Sequence, residues 1–344
     1  MNKKLFICLA ALTFINMKLS SFVCTLEMPV EQRGIITSTK RIYLPKFPGA
    51  FNPSIIKFGD NYIMTFRYTP QPWDIIWVSY IGIVILDESF EPLSDGQLLD
   101  TRFNDSRTPS QCEDARIFES NGKLYLTYND NMELENPSYD ERRDMYVAEL
   151  LYNNGEFSIA NPLKLIYRAK LSKGNWQKNW SPFDWNGTLL FSYSLDPHDI
   201  ILPNLKTGFC VNCHETNKNV SSWNYGSLRG GTTALLVDGE YLAFFHSGIM
   251  LSSVCSIEQE IWHYFAGAYT FSANPPFEVT KISSTPLLHK SYYTFTYYNK
   301  RVIYPSGFVA VGSTIYLAYG KDDCEIWIAT IDLNELKKSM VPIN

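Results

Sequence analysis

One pattern recurs five times along the chain: a polar cluster, an apolar strand, a turn at Gly or Asn, and a second apolar strand closed by another polar residue. The units run from Asn52 to Arg67, Glu113 to Tyr128, Trp180 to Tyr193, Arg229 to His246 and Tyr304 to Gly320. Self-similarity at a long period marks a repeat architecture, and one hairpin per unit points to the blades of a propeller. The dipeptides Gly59-Asp60, Asn121-Gly122, Asn186-Gly187 and Asp238-Gly239 supply the positive φ angles that tight hairpins need. Spread over a mature chain of about 320 residues, five units receive about 64 each, enough for a four-stranded blade. The pattern predicts an all-β, five-bladed β-propeller.

The same repeat locates a site. In a propeller the innermost strand of every blade lines a central channel, so the polar residues at its ends converge from all blades. The opening positions hold Asn52, Glu113 with Asp114, Lys178 with Asn179, Arg229 and Tyr304. The closing positions add Arg67, Asn129 or Asp130, Asp196 with His198, His246, and Lys321 with Asp322 and Asp323. Strand caps would account for some of them, but a scaffold tends to repeat one residue in every blade. Different, mostly charged residues at equivalent places favour a built site.

The chemistry of that set is ionic. Glu113 and Asp114 form a carboxylate pair beside Arg116, an arrangement that can hold one carboxyl protonated while the other stays ionised. Arg67, Lys178, Arg229 and His246 bring cations to the same channel, and cations beside an acid suit an anionic co-substrate such as phosphate. A structural ion pair within the blade is the plainer alternative for the acids. No nucleophile elbow and no phosphate-binding glycine loop is present. Gly230-Gly231 reads as a place where backbone approaches a ligand closely.

Composition narrows the partners. A formal charge of −5 argues against nucleic acid, and aromatics at 15% suit both blade packing and sugar stacking. The start, Met1-Asn-Lys-Lys followed by an uncharged run from Leu5 to Asn16, reads as a secretory signal peptide or an N-terminal anchor over residues 1–23. Residues 24–344 then form a single domain, exported, and bound to a membrane only if the N-terminal segment is retained. The one stretch with helical character is Leu333-Asn-Glu-Leu-Lys-Lys-Ser. In an exported chain Cys210, Cys213 and Cys255 could pair. The run Cys210-Val-Asn-Cys-His214 matches the c-type haem attachment pattern, but it lies in a polar loop region with no nearby Met, and a disulfide or free thiols fit it better. Neither a metal nor a cofactor is expected.

At these residues the chain resembles glycoside hydrolase family 130, the β-mannoside phosphorylases and mannosidases, and the related protozoan β-1,2-mannan phosphorylase/transferases. The matching pieces are Asn52-Pro-Ser with Arg67, Glu113-Asp-Ala-Arg116 with the strand from Tyr125 to Tyr128, and Tyr319-Gly-Lys-Asp-Asp323 with Ile326-Trp-Ile-Ala329. The resemblance implies inverting phosphorolysis of a β-mannoside, or its reverse from a sugar 1-phosphate. It gives Asp114 the role of catalytic acid, acting by way of the mannose 3-hydroxyl, and Asp323 a sugar contact. It assigns phosphate to Arg67, Lys178, Arg229 and His246. Asn52, Arg67, Glu113, Arg116, Asn179, Asp196, His198 and Tyr304 join Asp323 as the expected substrate-binding set. Where the family writes Glu-Asp-Pro-Arg, this chain has Ala115. The segments around Lys178, Asp196 and Arg229 also diverge, which leaves three rivals. One is an inverting hydrolase with Asp196, Asp322 or Asp323 as base; the others are a transferase using a nucleotide sugar and a non-catalytic glycan-binding propeller.

Overall fold

The computed structural model describes residues 34–70, 78–101, 110–131, 143–167, 176–217, 223–294 and 299–343. The expected leader, residues 1–23, lies outside them. The chain enters on β1 (Ile36–Ile42) and then builds three four-stranded antiparallel sheets in succession. The first holds β2 (Phe51–Phe58), β3 (Asn61–Tyr68), β4 (Tyr80–Leu86) and β5 (Gln97–Leu98). The second holds β6 (Glu113–Ser120), β7 (Lys123–Asp130), β8 (Asp144–Asn153) and β9 (Glu156–Leu165). The third holds β10 (Ser181–Trp185), β11 (Thr188–Leu195), β12 (His198–Pro203) and β13 (Cys210–Thr216).

The remaining strands share one ten-stranded sheet: β14 (Ser227–Gly230), β15 (Leu235–Val237), β16 (Glu240–Leu251), β17 (Ile261–Ser272), β18 (Val279–Ser283), β19 (Lys300–Val311), β20 (Thr314–Lys321), β21 (Glu325–Asp332), β22 (Met340–Pro342) and β1. It consists of two antiparallel groups, one around β16 and β17, the other β19-β20-β21-β1. A short parallel pairing joins them, setting Trp262 to Tyr264 beside Lys300 to Val302. The first strand thus pairs with the last long one, antiparallel along Ile36 to Ile42. The helical stretch forms α1 (Leu333–Ser339), with Asp332 capping the amides of Asn334 and Glu335. No helix among the described residues is long and apolar enough to cross a membrane.

All five repeat units are antiparallel hairpins: β2-β3, β6-β7, β10-β11, β15-β16 and β19-β20. Asn121-Gly122, Asn186-Gly187 and Asp238-Gly239 take φ between 50° and 85° at both central positions, the condition of a type I′ turn, and Gly59 takes 58°. The fourth unit departs from expectation. Its first strand breaks between Gly230 and Leu235, because the amide of Thr232 bonds back to Phe244 and that of Ala234 crosses to Pro182 of the third sheet.

Consecutive hairpins pack on one another through large apolar side chains. Phe118 meets Phe191, Phe183 meets Tyr241, Phe244 meets Phe308 and Tyr316 meets Tyr62. The first and second hairpins touch through polar groups: Thr65 Oγ1 donates to the Ala115 carbonyl, and the Ile117 amide to Ser54 Oγ. Each hairpin therefore touches the next, and the fifth touches the first. Strand openings are crowded at these crossings. A side chain at Gly230 would collide with the Asn179 carbonyl, and one at Gly231 with the carbonyls of Phe244 and Pro305. The two glycines admit the protein's own strands rather than a ligand, which corrects the sequence expectation.

Candidate functional site

Three of the hairpins carry, at or just before the start of their first strand, a residue in the left-handed region: Asn52 at φ 48°, Asp114 at 54° and Asn179 at 62°. Asn and Asp are the non-glycine residues that tolerate this conformation, through short side chains that bond locally. In the first two hairpins the opening residue falls inside a register shift, between Phe51 and Ser54 and between Glu113 and Arg116. A bulge of this kind re-aims a side chain, and here the re-aimed groups meet. Asn52 Nδ2 donates to Asp114 Oδ1 at 2.8 Å. Asn179 Oδ1 accepts from the Tyr304 hydroxyl at 2.8 Å and from Arg116 Nη2 at 3.2 Å. Such backbone costs of order 1–3 kcal/mol per residue and persists where the surroundings over-determine it, commonly at functional sites.

The strand openings surround a cavity of about 740 Å³, within the usual range for small-ligand sites. Ten expected residues line it: Asn52, Arg67, Glu113, Asp114, Lys178, Asn179, Arg229, His246, Tyr304 and Asp323. Its acidic centre is tightly paired. Arg67 gives Nη2 to Glu113 at 2.9 Å and Nη1 to Asp114 at 3.2 Å, while Lys178 bonds the other oxygen of Glu113 at 2.5 Å. Arg143, fully buried behind Glu113, adds a contact at 3.4 Å.

These contacts set the protonation states. Burial alone would raise the Asp114 carboxyl, but Arg67, Lys178, the Asn52 hydrogen bond and Arg116 together outweigh it and hold the group below its ordinary value. Asp114 is therefore a carboxylate in the free protein. Arg67 bridges both acids, so the two carboxyl groups share one guanidinium. Burial, helped by Arg229 and Arg116, pushes His246 down to about 3. It faces the cavity as a neutral imidazole rather than the expected cation, and its buried Nδ1 has no partner. Burial also raises Tyr304, which remains a phenol. The side chain of Arg229, exposed at the rim, has no hydrogen-bond or ion-pair partner among the described residues.

Three expected residues lie elsewhere. Arg116 is buried in the wall, donating to the carbonyls of Gly230 and Gly231, to Asn179 and to Tyr304. It clamps the second, third, fourth and fifth units together. Asp196 is exposed in the turn after β11. His198 opens β12 and is buried, its Nδ1 on the Phe277 carbonyl and its ring against Phe271. Both follow the last residue of β11, so the closing position read from the repeat falls beyond the strand in this unit.

The cavity also holds groups that the repeat did not disclose. Tyr264 and Lys300 reach it from β17 and β19, outside or before the repeated hairpins, by way of the parallel pairing. Lys300 bonds Asp323, and Asp322 accepts from the Val302 amide at 2.8 Å. Cys210 and Cys213 lie on β13, the last strand of the third sheet, and carry free thiols, as do Cys112 and Cys255. Burial pushes the Cys210 thiol up to about 12, which keeps it unreactive. Among the described residues no group of three His, Cys, Asp or Glu side chains is placed to hold a metal ion.

The sequence matches no protein-family profile and no curated protein. Solved structures, in contrast, share its fold over most of their length. A β-1,2-mannobiose phosphorylase from Listeria innocua, in complex with β-1,2-mannobiose, is 15% identical with a TM-score of 0.56, covering 88% of this chain and 93% of that one. A mannose phosphorylase from Leishmania mexicana, in complex with phosphate, is 12% identical with a TM-score of 0.57, covering 90% and 92%. A glycosyl hydrolase from Bacteroides ovatus is 15% identical with a TM-score of 0.56, covering 88% and 90%. At this identity the likeness establishes the fold, and it is the fold of the family that the Glu113-Asp-Ala-Arg116 and Asn52-Pro-Ser motifs resemble.

Proposed function

We propose that this chain is a carbohydrate-active enzyme that cleaves a β-mannoside with inorganic phosphate, or runs the reverse transfer from a sugar 1-phosphate. The observation that carries this reading is the composition of one cavity: a carboxylate on a strained strand opening, an arginine bridging it to a second carboxylate, and an unpaired arginine with a neutral histidine beside them. The mannobiose- and phosphate-bound proteins with the same fold support it. The circuit of hairpin contacts, each unit on the next and the fifth on the first, supports five blades around one channel. The uncharged run from Leu5 to Asn16 supports export.

In the proposed phosphorolysis, Arg229 takes phosphate first because it has no partner to give up. His246 donates a neutral hydrogen bond, and Lys178 and Arg67 turn part of their charge toward the anion. A phosphate oxygen attacks the anomeric carbon from the face opposite the glycosidic bond. That bond breaks, and the departing oxygen gains a proton that comes from Asp114 by way of the sugar's 3-hydroxyl. The anion offsets the cations that hold Asp114 ionised, so its arrival favours the protonated acid that cleavage needs. Transfer starts from the opposite state: the carboxylate already present in the free protein accepts the acceptor's proton as the sugar–phosphate bond breaks.

The test is incubation with β-mannosides, with and without phosphate, and with mannose 1-phosphate and a panel of acceptors. Phosphate-dependent cleavage or phosphate release from the sugar phosphate is expected. Cleavage that ignores phosphate would make the protein a hydrolase, and binding without turnover would make it a glycan-binding module.

A further inference from the structure

One face of the ten-stranded sheet continues beyond the cavity. Cross-strand partners share a face, so the register assigns its rows. His246 lies opposite Ala266, Gly248 opposite Tyr264, and Met250 opposite Trp262. The parallel pairing sets Val302 beside Tyr264 and Lys300 beside Trp262, and Arg229 pairs with His246. The rings on this face form a file running outward. Tyr304 is 4.7 Å from His246, His246 is 6.3 Å from Tyr264, and Tyr264 is 6.0 Å from Trp262, centroid to centroid.

The file passes from the interior to the surface. Tyr304 is 6% exposed and Trp262 45%. Gly248 leaves room for it: a side chain there would press on the Tyr264 ring at 3.2 Å. Polar groups flank the rings, with Tyr304 bonded to Asn179 at the inner end and Lys300 bonded to Asp323 farther out. A tryptophan beside a charged pair, two residues along the strand from a cavity-lining tyrosine, is only partly explained as packing, because nearly half of its surface stays outside the core.

We propose that Tyr264 and Trp262 are outer subsites for a linear oligosaccharide whose reacting sugar occupies the cavity. The chain would then act on a glycan of several sugars in preference to a disaccharide. Pyranose rings have apolar C–H faces that pack on aromatic rings and hydroxyl edges that take hydrogen bonds, which is the alternation this face offers. Neighbouring same-face positions on a strand are about 6.6 Å apart, so the two rings stand side by side along one path out of the cavity. The proposal rests on the reading that the cavity binds a mannoside.

Titration calorimetry with β-1,2-linked mannose disaccharide, trisaccharide and tetrasaccharide tests it without requiring turnover. The affinity of the native protein should rise with length, and Trp262→Ala should lose about tenfold on the tetrasaccharide, flattening the series. Trp262→Phe should recover most of the loss, which a mere surface perturbation would not. A native series independent of length, or a length gain retained by Trp262→Ala, overturns the proposal. So does tryptophan burial on phospholipid vesicles with none on any oligosaccharide, which would make the face a lipid contact. If a β-1,4-linked glucose series shows the length gain and its loss in Trp262→Ala while no mannoside binds, the subsites stand and the mannoside reading falls.

Discussion

The arithmetic of charge around Asp114 decides what single substitutions should do. Asp114→Asn keeps a residue that accepts a φ of 54° and keeps an oxygen for Arg67. It should therefore leave folding and sugar binding near normal while lowering turnover by about 10²–10⁴-fold, measured as kcat. Asp114→Ala should lose activity and also about 1 kcal/mol or more of stability, since a methyl side chain has no local bond to offset left-handed backbone. Wild-type turnover in Asp114→Asn would remove the acid assignment. The two anion contacts should separate by pH. With its folded value near 3, His246 carries no proton between about pH 5.5 and 7.5, where an ordinary histidine titrates. Sulfate affinity by calorimetry should stay flat across that window and fall about tenfold or more in Arg229→Ala. A drop in native sulfate affinity with rising pH would return His246 to the charged role. The sequence disclosed the type of these residues and not their state: nothing along the chain shows that His246 is fully enclosed, or that one arginine spans both acids.

At the scale of strands, the repeat was legible because apolar alternation and turn dipeptides are local signals. All five hairpins and the short helix α1 form, although the first strand of the fourth unit is broken between Gly230 and Leu235. What local signals cannot carry is where a strand ends relative to its neighbours. Asp196 and His198 look like the closing residues of the third hairpin, yet β11 stops at Leu195 and the tertiary contact of His198 with Phe277 takes the residue into the core. Tyr264 and Lys300 were illegible for a related reason: they enter through a parallel pairing between two hairpins, which leaves no periodic trace. The glycine pair was legible as a close approach, but its partner was the neighbouring strand. Gly231→Ala should therefore destabilise the fold by about 1–3 kcal/mol in a denaturant titration, because its methyl group would press on the carbonyls of Phe244 and Pro305. An unchanged midpoint would mean that the crossing is looser than the packing around Arg116 implies.

For the molecule as a whole, the fold was more legible than the chemistry, since many short motifs spread along the chain point to one architecture while the reaction depends on a few side chains. The N-terminal reading belongs to this scale as well. Mass spectrometry of the protein from its own cell should find the mature N-terminus near the end of the segment 1–23, and an intact Met1 would contradict cleavage. The account as a whole stands on phosphate. The most direct measurement is phosphorus NMR of the purified protein with β-1,2-mannobiose and inorganic phosphate. The account predicts that an α-mannose 1-phosphate signal grows only when phosphate and Asp114 are both present, with the disaccharide untouched when phosphate is left out. Free mannose released at the same rate with or without phosphate would contradict it.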